Sequence, residues 1–206
     1  LFCVSPLRPK WFDIDKRNAT IMLTKSPTTI ELSFHIDEAV QHFVLGLFKN
    51  QKFELSSGRF QVDFEVSGIE MLPKPAFEYK MRFRTLSPIC IGRNMEDREH
   101  AHYASPEEEG YAELLLQNLM RKHYALSPQL ANAAEGSLDI DFPYSFKLLS
   151  KPKAKLITIK EISVRGYLFD FELVAPKELV EVGYFGGFGE KNSSLGMGVV
   201  GVKKGV

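Results

Sequence analysis

The chain has 206 residues, 23.4 kDa, with 44% apolar and 25% charged side chains. That suffices to bury the core of one large domain or two small ones without disulfides, and it is not the composition of a disordered chain. Its 26 basic and 26 acidic residues cancel, which argues against a uniformly basic nucleic-acid binder but leaves local patches open. Cys3 and Cys90 lack CxxC spacing, so neither a zinc site nor a disulfide scaffold is indicated, and a reducing cytoplasm is expected. No apolar run reaches the roughly 18 residues of a membrane span and no signal peptide is visible, so no membrane partner is expected.

The chain opens on Leu1-Phe2-Cys3-Val4, already strand-like and without an initiator Met, which predicts a missing upstream segment. Thr20 to Thr24 and Thr29 to Ile36 are β-branched, apolar runs around Lys25-Ser26-Pro27-Thr28, and predict a hairpin. Val40, Phe43, Val44, Leu47 and Phe48 then fall at helical spacing, after Asp37 and Glu38 at the positive end of the predicted helix. Phe60, Val62, Phe64 and Val66 alternate with polar residues, as in a strand with one wet face.

Pro73-Lys74-Pro75 marks the expected boundary, with one domain over 1–74 and a second over 75–206. Tyr79, Met81 and Phe83 alternate with Lys80, Arg82 and Arg84, predicting a strand with a basic face. Ser105-Pro106-Glu107-Glu108 has the residue types of a capping box and predicts a helix start, with Arg121, Lys122 and His123 in the last turn. Ala131 to Gly136 reads as a loop. Tyr144 to Leu149 and Lys155 to Val174 read as strands, Pro176 to about Tyr184 as a short helix, and Val199 to Val202 as a last strand. The second half thus reads β-α-β-β-α-β, the ferredoxin-like order. The first reads β-β-α-β, the same unit without its opening strand and helix.

Eight of the fifteen glycines lie in the last 24 residues, within a glycine-rich loop over 183–198 and just beyond it. Glycine lets backbone approach a ligand, and successive N–H groups can cup an anion. Gly187, Gly189, Lys191, Asn192, Ser193, Ser194, Gly196 and Gly198 are therefore candidate phosphate contacts, although a tight helix-to-strand connection would use glycine too. The spacing is not that of a Walker loop, nor of a dinucleotide fingerprint. Charge is also uneven. Six basic residues stand against Glu161 between Lys147 and Arg165, and seven acids stand against Arg98 between Glu96 and Glu113. Lys151, Lys153 and Lys155, with Lys80, Arg82 and Arg84, are the candidate basic surface for a nucleic-acid strand. The five histidines fit surface or capping positions, and their spacing supports no metal site and no cofactor.

Gly187-Phe188-Gly189 through Ser193, Ser194, Leu195 and Gly196-Met197-Gly198 resembles the C-terminal glycine-rich signature of the RAMP superfamily, specifically the endoribonucleases that process precursor CRISPR RNA. Phe83-Arg84-Thr85-Leu86-Ser87-Pro88-Ile89 resembles the strand opening that family's second domain. Tyr103, Pro106, Tyr111, Leu115, Asn118, Leu119, Lys122 and Tyr124 resemble the helix after it, and Leu1 to Leu7 resembles a segment of its first domain.

The resemblance implies an α+β chain of two tandem ferredoxin-like domains that binds CRISPR repeat RNA, as monomer or homodimer, with a CRISPR effector complex as a further expected partner. It implies metal-independent cleavage: a 2′-hydroxyl attacks the adjacent phosphodiester, leaving 5′-hydroxyl and cyclic phosphate ends. The catalytic His of the family usually lies upstream of the segment that here begins at Leu1, so no catalytic residue is assigned. A non-cleaving RNA-binding subunit and a generic phosphate binder are the alternatives.

Overall fold

The computed structural model of the chain describes residues 1–18, 20–23, 25–56, 60–93, 102–126, 138–159, 162–190 and 193–203. The predicted loop at Ala131 to Gly136 lies outside them, as do Glu96, Asp97 and Glu99 of the acidic run and the candidates Lys191 and Asn192. Two compact units form, one from residues 1–35 with 77–206 and one from 36–76.

In the larger unit, residues 2–34 form a ribbon. Strands β1 (Phe2–Val4), β2 (Arg8–Pro9), β3 (Asp13–Asp15), β4 (Thr20–Met22), β5 (Thr28–Thr29) and β6 (Leu32–Phe34) pair antiparallel as β3 with β4, β2 with β5 and β1 with β6. The two runs expected to pair with each other thus pair with upstream residues instead. The turn is made by Asp15, whose carboxylate accepts from the backbone N–H of Arg17 at 2.9 Å and the Asn18 amide at 2.8 Å, the local bonding that favours Asx turns.

The smaller unit holds α1 (Asp37–Lys49), at its predicted place, and the hairpin β7 (Lys52–Ser56) with β8 (Gln61–Glu65). Strand β7 escapes the periodicity reading, while β8 coincides with the predicted strand. Phe53 and Phe64 stack across this hairpin with centroids 5.2 Å apart.

Back in the larger unit come β9 (Lys80–Thr85), β10 (Gly92–Arg93), β11 (His102–Tyr103), α2 (Tyr111–Ala125), β12 (Ser145–Leu148), β13 (Lys153–Ile159), β14 (Ile162–Leu168), β15 (Asp170–Val174), α3 (Lys177–Gly186) and β16 (Val200–Val202). An antiparallel sheet runs β12-β15-β9-β16. With its two helices it gives the chain order β-α-β-β-α-β read from the sequence. Alternation puts Met81 and Phe83 of β9 and Phe171 and Leu173 of β15 on the inner face, in one buried cluster with Tyr111, Leu115, Leu116 and Leu119 of α2 and Leu179 and Val180 of α3. The predicted long strand from Lys155 to Val174 divides into β13, β14 and β15, the first two forming a hairpin in register from Lys153↔Leu168 to Ile159↔Ile162.

Helix α2 starts later than Ser105. The capping-box bonds do form, from Ser105 N–H to Glu108 Oε1 at 2.9 Å and from Glu107 N–H to Ser105 Oγ at 3.4 Å. They close a separate turn, because Gly110 at φ 79° redirects the chain before Tyr111. No helix among the described residues is long and apolar enough to cross a membrane.

Candidate functional site

The connection from α3 to β16 carries the glycine-rich segment, and its backbone is tied on both sides. Phe188 N–H donates to Gly198 O at 2.8 Å, Gly198 N–H to Pro88 O at 2.9 Å, and Glu190 N–H to Cys90 O at 2.9 Å. Val199 N–H donates to Ser87 Oγ at 2.9 Å, and Gly196 N–H to Ser193 O at 3.3 Å. Phe188 is buried between Phe83 and Phe171, with centroids 5.3 and 5.4 Å away. Gly187, Gly189, Gly196 and Gly198 all have positive φ. At Gly198 the reason is packing: a Cβ there would stand 2.0 Å from Phe188 O. Gly196 differs, since its nearest neighbour, Val4 O, would be 3.6 Å from a Cβ. Ser193 begins a 3-10 turn, Ser193–Leu195, that contains Ser194. Lys191 and Asn192 fall outside the described residues.

Below the loop lies a residue that the sequence reading placed with Arg121 and His123 in the cationic last turn of α2. The Lys122 ammonium donates to the carbonyls of Gly186 at 3.3 Å, Gly187 at 2.5 Å and Gly189 at 2.7 Å. Burial pushes its pKa down to about 8, opposed by Cys3. Burial raises the Cys3 thiol, against the pull of a 2.9 Å bond with Ser33 Oγ and of Lys122.

Lys80, Arg82 and Arg84 project from the outer face of β9, and the adjacent strand supplies partners. Glu172 Oε1 lies 3.1 Å from Lys80 Nζ and its Oε2 2.8 Å from Arg82 Nε. Asp170 takes Arg84 Nε at 3.3 Å and Lys203 Nζ at 2.8 Å. Arg82 and Lys80 hold the Glu172 carboxyl below its ordinary value. For Asp170, burial works against the charge, but the bonds from Lys203 and Arg84 outweigh it and the carboxyl again titrates low. Four cations thus meet two carboxylates, leaving this face positive but half neutralised.

Lys151, Lys153 and Lys155 are exposed, Lys151 just before β13 and the other two on it. Their cross-strand neighbours are uncharged, Leu168 opposite Lys153 and Gly166 opposite Lys155. The structure therefore puts the two basic groups of candidates on separate elements, the sheet's outer face and the β13–β14 hairpin. Lys147 joins the first, opposite Glu172. Among the described residues no group of His, Cys, Asp and Glu could hold a metal ion.

The family model "CRISPR associated protein Cas6, C-terminal" matches residues 72–202. A CRISPR-associated endoribonuclease-like protein Cas6 of Pyrococcus furiosus is 26% identical over 182 residues, covering 87% of this chain and 70% of its own length. The CRISPR-associated endoribonuclease Cas6 1 of Methanocaldococcus jannaschii is 28% identical over 167 residues, covering 80% of this chain and 59% of its own length. This chain thus spans between about three fifths and seven tenths of the relatives it matches. Among solved structures, one described as CRISPR associated protein Cas6 aligns with a TM-score of 0.77 at 26% identity, covering 98% of this chain and 78% of that one. A RAMP protein described as binding different RNA substrates shares the fold, with a TM-score of 0.72 at 20% identity and coverages of 98% and 79%. The match over 72–202 takes in the sheet, both of its helices and the glycine-rich connection, and the chain belongs to the Cas6 family of CRISPR-associated proteins.

Proposed function

We propose that the chain is the RNA-holding part of an endoribonuclease that processes precursor CRISPR RNA by cutting within the repeat. The observation that carries this reading is the family match through the complete glycine-rich connection. The names of the two relatives, both of them endoribonuclease or endoribonuclease-like, support it. In this reading the RNA lies against three surfaces. One is the β13 side with Lys151, Lys153 and Lys155, and the second is the sheet face of Lys80, Arg82 and Arg84. The third is the loop of Gly187, Gly189, Lys191, Asn192, Ser193, Ser194, Gly196 and Gly198. Lysine and arginine neutralise phosphates, and single-stranded or stem RNA is gripped through its backbone at such surfaces.

The chemistry follows from the substrate. A 2′-hydroxyl next to the scissile phosphate can serve as nucleophile, giving a cyclic phosphate and a 5′-hydroxyl, and the protein then needs only proton transfer and charge stabilisation, with no metal. In this reading two tandem ferredoxin-like domains divide at 74/75, the first without its opening strand and helix, and the protein works in the cytoplasm as monomer or homodimer with a CRISPR effector complex as a further partner.

The test is incubation of the full-length protein with its repeat RNA in EDTA. Cleavage leaving a cyclic phosphate is expected. Tight binding without cleavage would reduce the protein to a carrier, and no specific binding would end the reading.

A further inference from the structure

The mechanical centre of the glycine-rich connection is Lys122. It lies on the buried stripe of α2, one turn beyond Leu119 and two beyond Leu115, both fully buried. Its ammonium has three N–H donors, and three carbonyls receive them, from Gly186, Gly187 and Gly189. Gly186 ends α3 and Gly187 caps it, and the last turn of α3 has no basic residue of its own. Lys122 thus brings a cation from another helix to the negative end of α3, where carbonyls lack intrahelical partners.

Among the described residues no carboxylate is paired with this charge. Cys3, on β1, is the ionisable group that acts on it besides burial, and that thiol is raised and stays neutral. The loop's own carboxylate, Glu190, is turned onto Gly92 N–H at 2.9 Å. Among the described residues, carbonyl dipoles are what hold this largely buried charge. A buried cation without a counter-ion opposes folding, so its presence calls for a role in the loop.

That role follows from peptide geometry. In a trans peptide the C=O and N–H point opposite ways. The peptides 187–188 and 189–190 are each held at both edges, their oxygens by Lys122 and their N–H groups by Gly198 O and Cys90 O. No rotation of either plane is possible without breaking two bonds. We propose that Lys122 is the positioning residue of the RNA-binding loop, its ammonium fixing the peptide orientations that present Glu190 and residues 193–196 to the RNA backbone. The proposal rests on the assignment of that loop to RNA. A neutral amine has two N–H donors and no charge, so it cannot satisfy all three carbonyls. The loop's order and its hold on RNA therefore depend on the protonation of Lys122.

The test uses the full-length protein, its repeat RNA, and the variants Lys122→Met and Lys122→Arg. Two quantities are read from pH 6.5 to 9: RNA affinity, and the hydrogen-exchange protection factor of the 186–190 segment without RNA, in which intrinsic pH dependence is already divided out. In the wild type both are expected to fall with a midpoint near pH 8. In Lys122→Met protection is expected to be low throughout and RNA affinity about tenfold weaker at pH 7, the scale of a lost charge-assisted contact. Lys122→Arg, whose guanidinium does not titrate here, is expected to flatten the profile. A Lys122→Met protein that keeps wild-type protection would overturn the proposal. So would a pH-independent wild type, which requires no variant to fold. Loss of protection with unchanged RNA affinity would also overturn it, and would place the fault in the loop's assignment to RNA and not in the grip of Lys122 on the loop.

Discussion

Glycine is required at some positions of the α3–β16 connection by packing and can be spared at others, and the difference is large enough to measure. Gly198→Ala puts a methyl 2.0 Å from Phe188 O at φ 78°. The left-handed backbone costs an alanine about 1 kcal/mol. The clash must also part Phe188 N–H from Gly198 O and Gly198 N–H from Pro88 O, and stranding one buried polar group costs about 1–3 kcal/mol. Moving Phe188, which is 1% exposed and packed on Phe83 and Phe171, adds about 1–2 kcal/mol of misfit. The expected loss is about 4 kcal/mol, a large part of the usual 5–15 kcal/mol of a folded chain. Gly196→Ala meets Val4 O at 3.6 Å, an ordinary contact, and should lose only the backbone term, about 1 kcal/mol. Urea denaturation followed by circular dichroism separates them: at about 2 kcal/mol per molar the midpoints should differ by about 1.5 M. If the two midpoints coincide, close backbone packing is not what demands glycine at Gly198. If Gly196→Ala is stable yet binds repeat RNA at least tenfold more weakly, Gly196 is the position where the RNA backbone needs the missing side chain.

Other surfaces give independent tests. Lys153→Glu with Lys155→Glu should leave stability within about 0.5 kcal/mol, since both side chains are exposed, while lowering RNA affinity and reducing the salt slope by up to about 2; unchanged binding would remove β13 from the interface. Glu172→Gln releases Lys80 and Arg82, so RNA affinity should rise a few-fold and the salt dependence should steepen; a weaker complex would show that the ion pairs, and not the free cations, shape that face. The same carboxyl sets an acid limb. Its folded value lies below the unfolded 4.5, so its contribution is complete above that pH and is lost as pH falls through the lower folded value. Glu172→Gln should flatten this limb in acid denaturation, and an unchanged limb would assign it to other groups.

The order of elements in the second half was legible because each carries its own local signal: alternation in β9, cap residues before and basic residues at the end of α2, alternation again in β15. The pairing of the first 35 residues was not. Thr20–Met22 and Leu32–Phe34 look alike as runs, and nothing local says that each pairs upstream; the decisive signal was the Asp15–Asn18 turn, whose side-chain bonds reverse the chain. The start of α2 was misplaced because the capping box is a local motif that closes its turn whether or not a helix follows. A glycine two residues after Glu108 was the visible sign that the helix would restart. Lys122 was missed for a similar reason. Read with its neighbours Arg121 and His123 it completes a cationic last turn, but counted from Leu115 and Leu119 it falls on the apolar stripe, where a lysine is out of place unless something buried needs it.

Charge read along the chain cannot see across strands, and in the proposed RNA-binding reading this sets the order in which the two basic clusters engage. Lys80, Arg82 and Arg84 are as closely spaced in the sequence as Lys151, Lys153 and Lys155, yet their partners, Glu172 and Asp170, lie some ninety residues away and become neighbours only through the register Glu172↔Arg82 and Asp170↔Arg84. A phosphate arriving there must displace or share bonds already made. On β13 the opposite positions are Leu168 and Gly166, and among the described residues no carboxylate pairs with Lys153 or Lys155. Their charges are fully available to a phosphate, which neutralises them with no competing ion pair to break. The hairpin should therefore dominate the salt-dependent encounter, and the sheet face should act later, as ion pairs to Glu172 and Asp170 are exchanged for phosphates. In stopped-flow association, reversing Lys153 and Lys155 should slow binding, whereas Glu172→Gln should chiefly slow dissociation. The opposite assignment of the two rates would refute this order of contact.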